Sequence, residues 1–200
     1  MYMARYHGTN GVHVWSIRQG GTDQALPRAI ATDGSHLFVG GMLGGATNLG
    51  GSDLIVVDGS FDAFVAAYNA SDGSHAWSER FGGSNADITN SIAASSTKLA
   101  VAINFSVDTI TIGTRTFMTK NDDVAIARLN PSTGAPSEAA TQFGSSAMST
   151  SGNLVTNTMA LVYTSDRLAG VGTFSESTNL LGTNLLSIGS NDVASFRVDF

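Results

Sequence analysis

The sequence predicts an all-β fold made of β-propeller blades: about three four-stranded antiparallel blades, forming a partial propeller or half of an oligomeric ring. Three observations lead there. Like stretches recur at a fixed offset, apolar residues alternate over strand-sized runs with little helical periodicity, and Gly-bearing turns separate those runs. Trp15 and Trp77, Gly20 and Gly82, Ile30 and Ile92, Leu37 and Leu99, and Phe81 and Phe143 each lie 62 residues apart. The next interval lengthens to 69 for Leu99 and Leu168, Phe105 and Phe174, and Asp123 and Asp192, the added residues falling in a polar stretch at 145–157. Periods of this size belong to stacked units that cannot bury their faces alone.

Taken in order, residues 2–6 and 12–18 match strands three and four of a unit. The first full unit uses 29–33, 36–43, 62–69 and 75–81. The second uses 88–95, 98–106, 123–129 and 138–143, with an extra hairpin at 107–121. The third uses 159–165, 167–174 and 192–199. The chain thus divides into a partial blade at 1–18, blades at 25–82 and 87–144, and an incomplete blade at 158–200, within one domain. The links from strand three to strand four, His7-Gly8-Thr9-Asn10-Gly11, Asn69-Ala70-Ser71-Asp72-Gly73 and Asn130-Pro131-Ser132-Thr133-Gly134, each close on a Gly suited to positive φ. Asp62, Asp123 and Asp192 stand where strand three begins, and capping of nearby backbone N–H groups accounts for all three. In the run 98–106, Leu99, Val101, Ile103 and Phe105 point one way and Ala100, Ala102 and Asn104 the other, which fits a sheet covered on both faces. The glycines of Gly40-Gly41-Met42-Leu43-Gly44-Gly45 lead from strand to strand, so they serve close backbone approach and not a phosphate at a helix N-terminus.

The pattern Asp62-x-Phe64-Val65-Ala66-x-Tyr68, a turn, Trp77-Ser78-x-x-Phe81-Gly82-Gly83-Ser84, then Ile92-Ala93 and Leu99-x-Val101 resembles the bacterial SBBP-type β-propeller repeat. The resemblance is closest at 62–93 and loosest after residue 130, where Ala139 stands in the place of Trp77 and Ser145 in that of the second Gly. It implies a scaffold in large bacterial proteins that are secreted or surface-attached, and it carries no agreed catalytic residues.

Composition removes several function classes. A formal charge of −6 with ten scattered Lys and Arg leaves no cationic face for nucleic acid. No cysteine is present, so disulfides and thiolate metal sites are excluded. The apolar runs are too short to cross a bilayer as helices. No His, Asp or Glu spacing matches a metal loop, and no nucleophile motif or cofactor fingerprint occurs, so neither a metal nor a cofactor is expected.

His13 and His75 precede Trp15 and Trp77 by two residues. A sugar-stacking pair is one reading, and aromatics that pack between blades is the favoured one. The remaining candidates lie on links and hairpins that differ between copies while the strands keep register: 19–25, 82–90 and 144–157, with 44–61, 106–121 and 175–191. Asp23, Asp87, Arg115 and Lys120 are the candidate ligand-binding residues on that rim. The expected function is a non-catalytic binding or scaffold module that meets protein or glycan through these loops. The chain is expected to self-associate or to belong to a larger propeller. A glycan lyase or hydrolase with an axial pocket, or a self-assembling structural unit, are the alternatives.

Overall fold

The computed structural model describes residues 1–56, 60–143, 159–164, 167–174, 177–180, 183–186 and 192–198; at 107, 108, 120, 121, 138–140, 177–180 and 184 it describes the backbone alone. The expected long link at 144–157 lies outside the described residues, as do Ser145 and the side chain of Ala139. Among the described residues every regular element is a strand and every pairing is antiparallel.

Among the described residues the strands form four main sheets in chain order and two small separate hairpins. The first holds β1 (Tyr2–Tyr6) and β2 (His13–Arg18). In the second, β3 (Ala25–Thr32), β4 (His36–Gly44), β7 (Phe61–Asn69) and β8 (His75–Phe81) pair in that order, and the small hairpin β5 (Ala46–Asn48) and β6 (Asp53–Ile55) stands apart. The third is a meander of β9 (Asp87–Ala94), β10 (Leu99–Ile112), β11 (Arg115–Leu129) and β12 (Pro136–Phe143). The fourth joins β13 (Met159–Thr164), β14 (Arg167–Phe174) and β17 (Asp192–Val198), with a separate hairpin of β15 (Ser177–Leu180) and β16 (Thr183–Leu186).

The alternation read along 98–106 places its residues as expected. Leu99, Val101, Ile103 and Phe105 are buried against Phe38, Val65 and Trp77 of the second sheet. Ala100 and Ala102 are buried on the opposite face with Leu168, Phe196 and Val198 of the fourth. A third core, built on Met3, Trp15, Val39, Phe64 and Tyr68, joins the first sheet to the second. The sheets are therefore stacked face to face in chain order, and β9 lies directly against β3, β4 and β13.

One contact is made twice between consecutive sheets. The Trp15 indole N–H donates to the Ala70 carbonyl at 3.1 Å, and the Trp77 indole to the Pro131 carbonyl at 2.8 Å. Both carbonyls belong to a turn that closes on a glycine with positive φ, Gly73 at 75° and Gly134 at 76°. The ring lies over that glycine: a methyl on Gly73 would stand 2.9 Å from Trp15 Cε3, and one on Gly134 2.5 Å from Trp77 Cε3. Both tryptophans are buried, which supports packing between sheets over sugar stacking. The edge-on contacts of Tyr6 with His13 and of Tyr68 with His75 also match, at 5.6 and 5.8 Å between ring centres. Gly41 leaves no room for a side chain against the Leu26 carbonyl, and a methyl on Gly40 would meet Thr89 at 2.6 Å, so this pair does serve close approach.

Three expectations change. Strand β3 begins at Ala25, four residues earlier than read, because Pro27 and Ala29 pair with Gly41 and Gly40 around one extra residue, Arg28. Two of the three aspartates at the start of strand three, read from local turn chemistry as caps, have cross-strand side-chain partners as well. Asp62 is buried and paired with Arg80 of β8, and Asp123 is buried and accepts from Gln142 Nε2 of β12 at 2.5 Å. Their cross-strand side-chain partners come from residues about one strand away in space, which local turn chemistry does not reveal; Asp192 opens β17 half-buried.

The hairpins differ most from the expected rim loops. After a register shift between Ser106 and Asp108, β10 and β11 run on and fold back until Gly113 stands beside Pro136. Ile110 and Ile112 are buried there with Trp77 and Phe81, and Phe117 packs against them. Burying each isoleucine contributes about 1.5–3 kcal/mol. Gln142 Nε2 also donates to the Met118 carbonyl at 2.8 Å, which holds the fold-back in place. The β5–β6 hairpin does the same between the first and second sheets. Leu49 is buried, its carbonyl accepts from Tyr68 Oη at 2.8 Å, and the Asn48 carbonyl accepts from Gly20 N–H at 2.7 Å. Two of the three variable excursions are thus wedges between sheets.

Candidate binding cleft

The face of the third sheet that meets the fourth is dry along one half and polar along the other. Strand β10 sets this pattern with Ala100, Ala102, Asn104 and Ser106 at every second residue. The two alanines are in the core. On β9, Ser91 Oγ accepts from Leu161 N–H of the fourth sheet at 3.0 Å. Asn104 pairs across with Ile88 and Val124, and Ser106 with Asp122, so their side chains share the face.

Two β-bulges add one residue each to this place. On β9, Ser91 pairs with Ala102 and Thr89 with Ile103, leaving Asn90 extra; on β3 the extra residue is Arg28. A bulge leaves its added residue outside the ladder and turns that side chain away from the regular alternation. Arg28 and Asn90 both line a cleft of about 430 Å³, together with Ala86, Ile88, Asn104, Ser106 and Asp122. One wall comes from the second sheet through Arg28, the other from three strands of the third. Among the described residues, the side chains of Arg28, Asn90, Ser106 and Asp122 make no hydrogen bond within the protein and no ion pair joins Arg28 to Asp122, whereas Asn104 has a partner. Among the described residues the cleft therefore carries the cation Arg28, the anion Asp122 and the unbonded donors and acceptors of Asn90 and Ser106 on a strand-built frame.

No protein-family model matches the chain, and no curated protein sequence is similar to it. The chemistry of the cleft rests on its own residues.

The four residues expected on the rim do not converge. Asp23 accepts from Ala46 N–H at 3.0 Å and so fixes the start of the β5–β6 hairpin. Asp87 is buried and accepts from Gly83 N–H at 3.0 Å, holding the link between β8 and β9. Arg115 is exposed at the tip of the β10–β11 hairpin, opposite Ile112 and at the other end of the third sheet from Asp87. Lys120 lies on β11, with its side chain outside the described residues. The cleft escaped the sequence reading because Arg28 fell just before the strand as first bounded. A signal for it exists: Arg28 and Asn90 are 62 residues apart, two polar residues at one position of consecutive units.

A second cleft of about 390 Å³ lies between the first and second sheets, lined by Arg5, Tyr6, Trp15, Ile30, Leu37 and neighbours. Its exposed floor is informative. Ile30 is 66% exposed, whereas Ile92, 62 residues on, is 6% exposed under the second sheet. Among the described residues no three His, Asp or Glu side chains gather as a metal site, and no helix is long and apolar enough to cross a membrane.

Proposed function

We propose that the chain is an arc of a β-propeller of the SBBP-repeat kind, acting as a non-catalytic binding or spacing scaffold in a bacterial surface or secreted protein. The observation that carries this reading is the doubled contact of Trp15 and Trp77 with the turn of the following sheet. Identical joints between successive sheets generate a constant rotation per unit, which is what carries blades around an axis. The close approach of β9 to both β3 and β13 supports the same arrangement, because first strands crowd together where blades converge.

The open place beside the two-stranded first sheet and the outer face of the fourth are where further strands and blades belong. Ile30 is uncovered beside the first sheet, and Val162, Val171 and Val193 are exposed on the fourth. Apolar faces and free strand edges at both ends favour addition of like units. A second copy of the chain supplies them head to tail, and protein or glycan partners are then met on the finished scaffold. Light scattering behind size exclusion tests this: the mass rises with concentration to a dimer or a larger closed ring, and Val193→Asp with Ile30→Asp lowers it. A monodisperse monomer that binds no hydrophobic dye refutes the reading.

A further inference from the structure

We infer that the cleft formed by Arg28 of the second sheet and the side of the third sheet that turns toward the fourth is a binding site for a neutral saccharide ring. This rests on the scaffold reading above and replaces its rim loops with a defined place. A volume of about 430 Å³ is within the range of small-molecule sites, roughly 300–1,000 Å³. The lining fixes the ligand class in three ways.

Charge comes first. Arg28 and Asp122 contribute one positive and one negative group, and no ion pair joins them. Among the described lining, attraction to one of the two groups offsets repulsion by the other for any single ionic charge, so net charge is not favoured, and a neutral ligand accepts from Arg28 and donates to Asp122. Hydrogen bonding comes second. The guanidinium only donates, the carboxylate only accepts, and Asn90 and Ser106 do both. A ring of hydroxyl groups, each donor and acceptor, is the small ligand that uses such a mixture fully. Shape comes third. Ile88 and Ala86 add a small apolar patch within the same wall, suited to the C–H face of the ring. The strands and two bulges fix the backbone from which these side chains extend, which lowers part of the ordering cost of binding.

The test is a ¹⁵N-¹H NMR titration of the whole chain with four probes: glucose, galactose, mannose and N-acetylglucosamine. Glycylglycine and inorganic phosphate serve as charged comparators. At least one sugar is expected to give saturable shifts at the amides of residues 86–90, 104–106 and 122. Arg28→Met and Asp122→Ala should each weaken that sugar about tenfold, the loss of one hydrogen bond to a charged group. Arg115→Met, on the distant hairpin, should leave the affinity unchanged. All three positions lie outside the cores, and an unaltered β-type circular dichroism spectrum confirms folding. The inference is overturned if no sugar shifts these amides, if the cleft variants bind as wild type does, or if only glycylglycine or phosphate binds. The oligomeric mass is measured separately, so a ring that binds no sugar removes this site and keeps the scaffold.

Discussion

At the residue scale, function in this chain is shaped by a few side chains that reach across strands or sheets. The Trp77–Gly134 joint combines a left-handed backbone, an indole stacked over it and one hydrogen bond to Pro131. Trp77→Phe keeps most of the apolar contact and loses the bond, so a destabilisation of about 1 kcal/mol is expected in urea melts. Gly134→Ala meets two obstacles, φ of 76° and a methyl 2.5 Å from the ring, and should cost about 1–3 kcal/mol. An alanine variant as stable as wild type would show that ring and turn are not in contact. The positive-φ glycines were legible in the sequence, because turn chemistry is local. The partners of Asp62 and Asp123 were not, since Arg80 and Gln142 meet them only once the strands have paired.

At the scale of elements, the excursions between strands two and three decide how the sheets are spaced. The stretch Ile110-Thr111-Ile112 alternates as a half-buried strand does, and its isoleucines are in the core between the second and third sheets. Ile110→Ala should therefore destabilise by about 2–4 kcal/mol, whereas a solvated rim loop would lose no more than about 0.5 kcal/mol. The β5–β6 hairpin adds a dependence on pH. His75 packs its ring against Gly51, and its Nε2 is buried without a hydrogen bond among the described residues. Burial holds this imidazole below the ordinary histidine value. The unfolded chain then binds the proton more readily, so stability rises with pH through this window. The contribution of neutral His75 is complete above about pH 6.5 and is lost as pH falls toward its lowered folded value. Urea midpoints across that range should slope for the wild type and flatten for His75→Phe; equal slopes would refute the assignment. Asp33 behaves alike at lower pH. Burial raises its carboxyl, but hydrogen bonds from His36 and Ser35 outweigh that and leave it below the usual value.

At the scale of the whole molecule, the four main sheets share three cores among the described residues, and each inner sheet needs a neighbour on both sides. The contrast between buried Ile92 and exposed Ile30 measures what a missing cover does to one position. It also accounts for the expected self-association, whose mass measurement decides the scaffold reading. The charged cleft is a property of this same level, because its walls belong to two sheets.

The sequence alone determined the β character, the strand positions to within a few residues, the glycine turns and the two dry faces around β10. These follow from alternation and turn residues, which act over a handful of neighbours along the chain. Only the tertiary structure decided where the excursions fold and that Arg28 meets Asn90, Asn104 and Asp122 around one space. Bulges and sheet-on-sheet approach set those positions, and both depend on contacts between residues far apart in the chain, which no local pattern encodes.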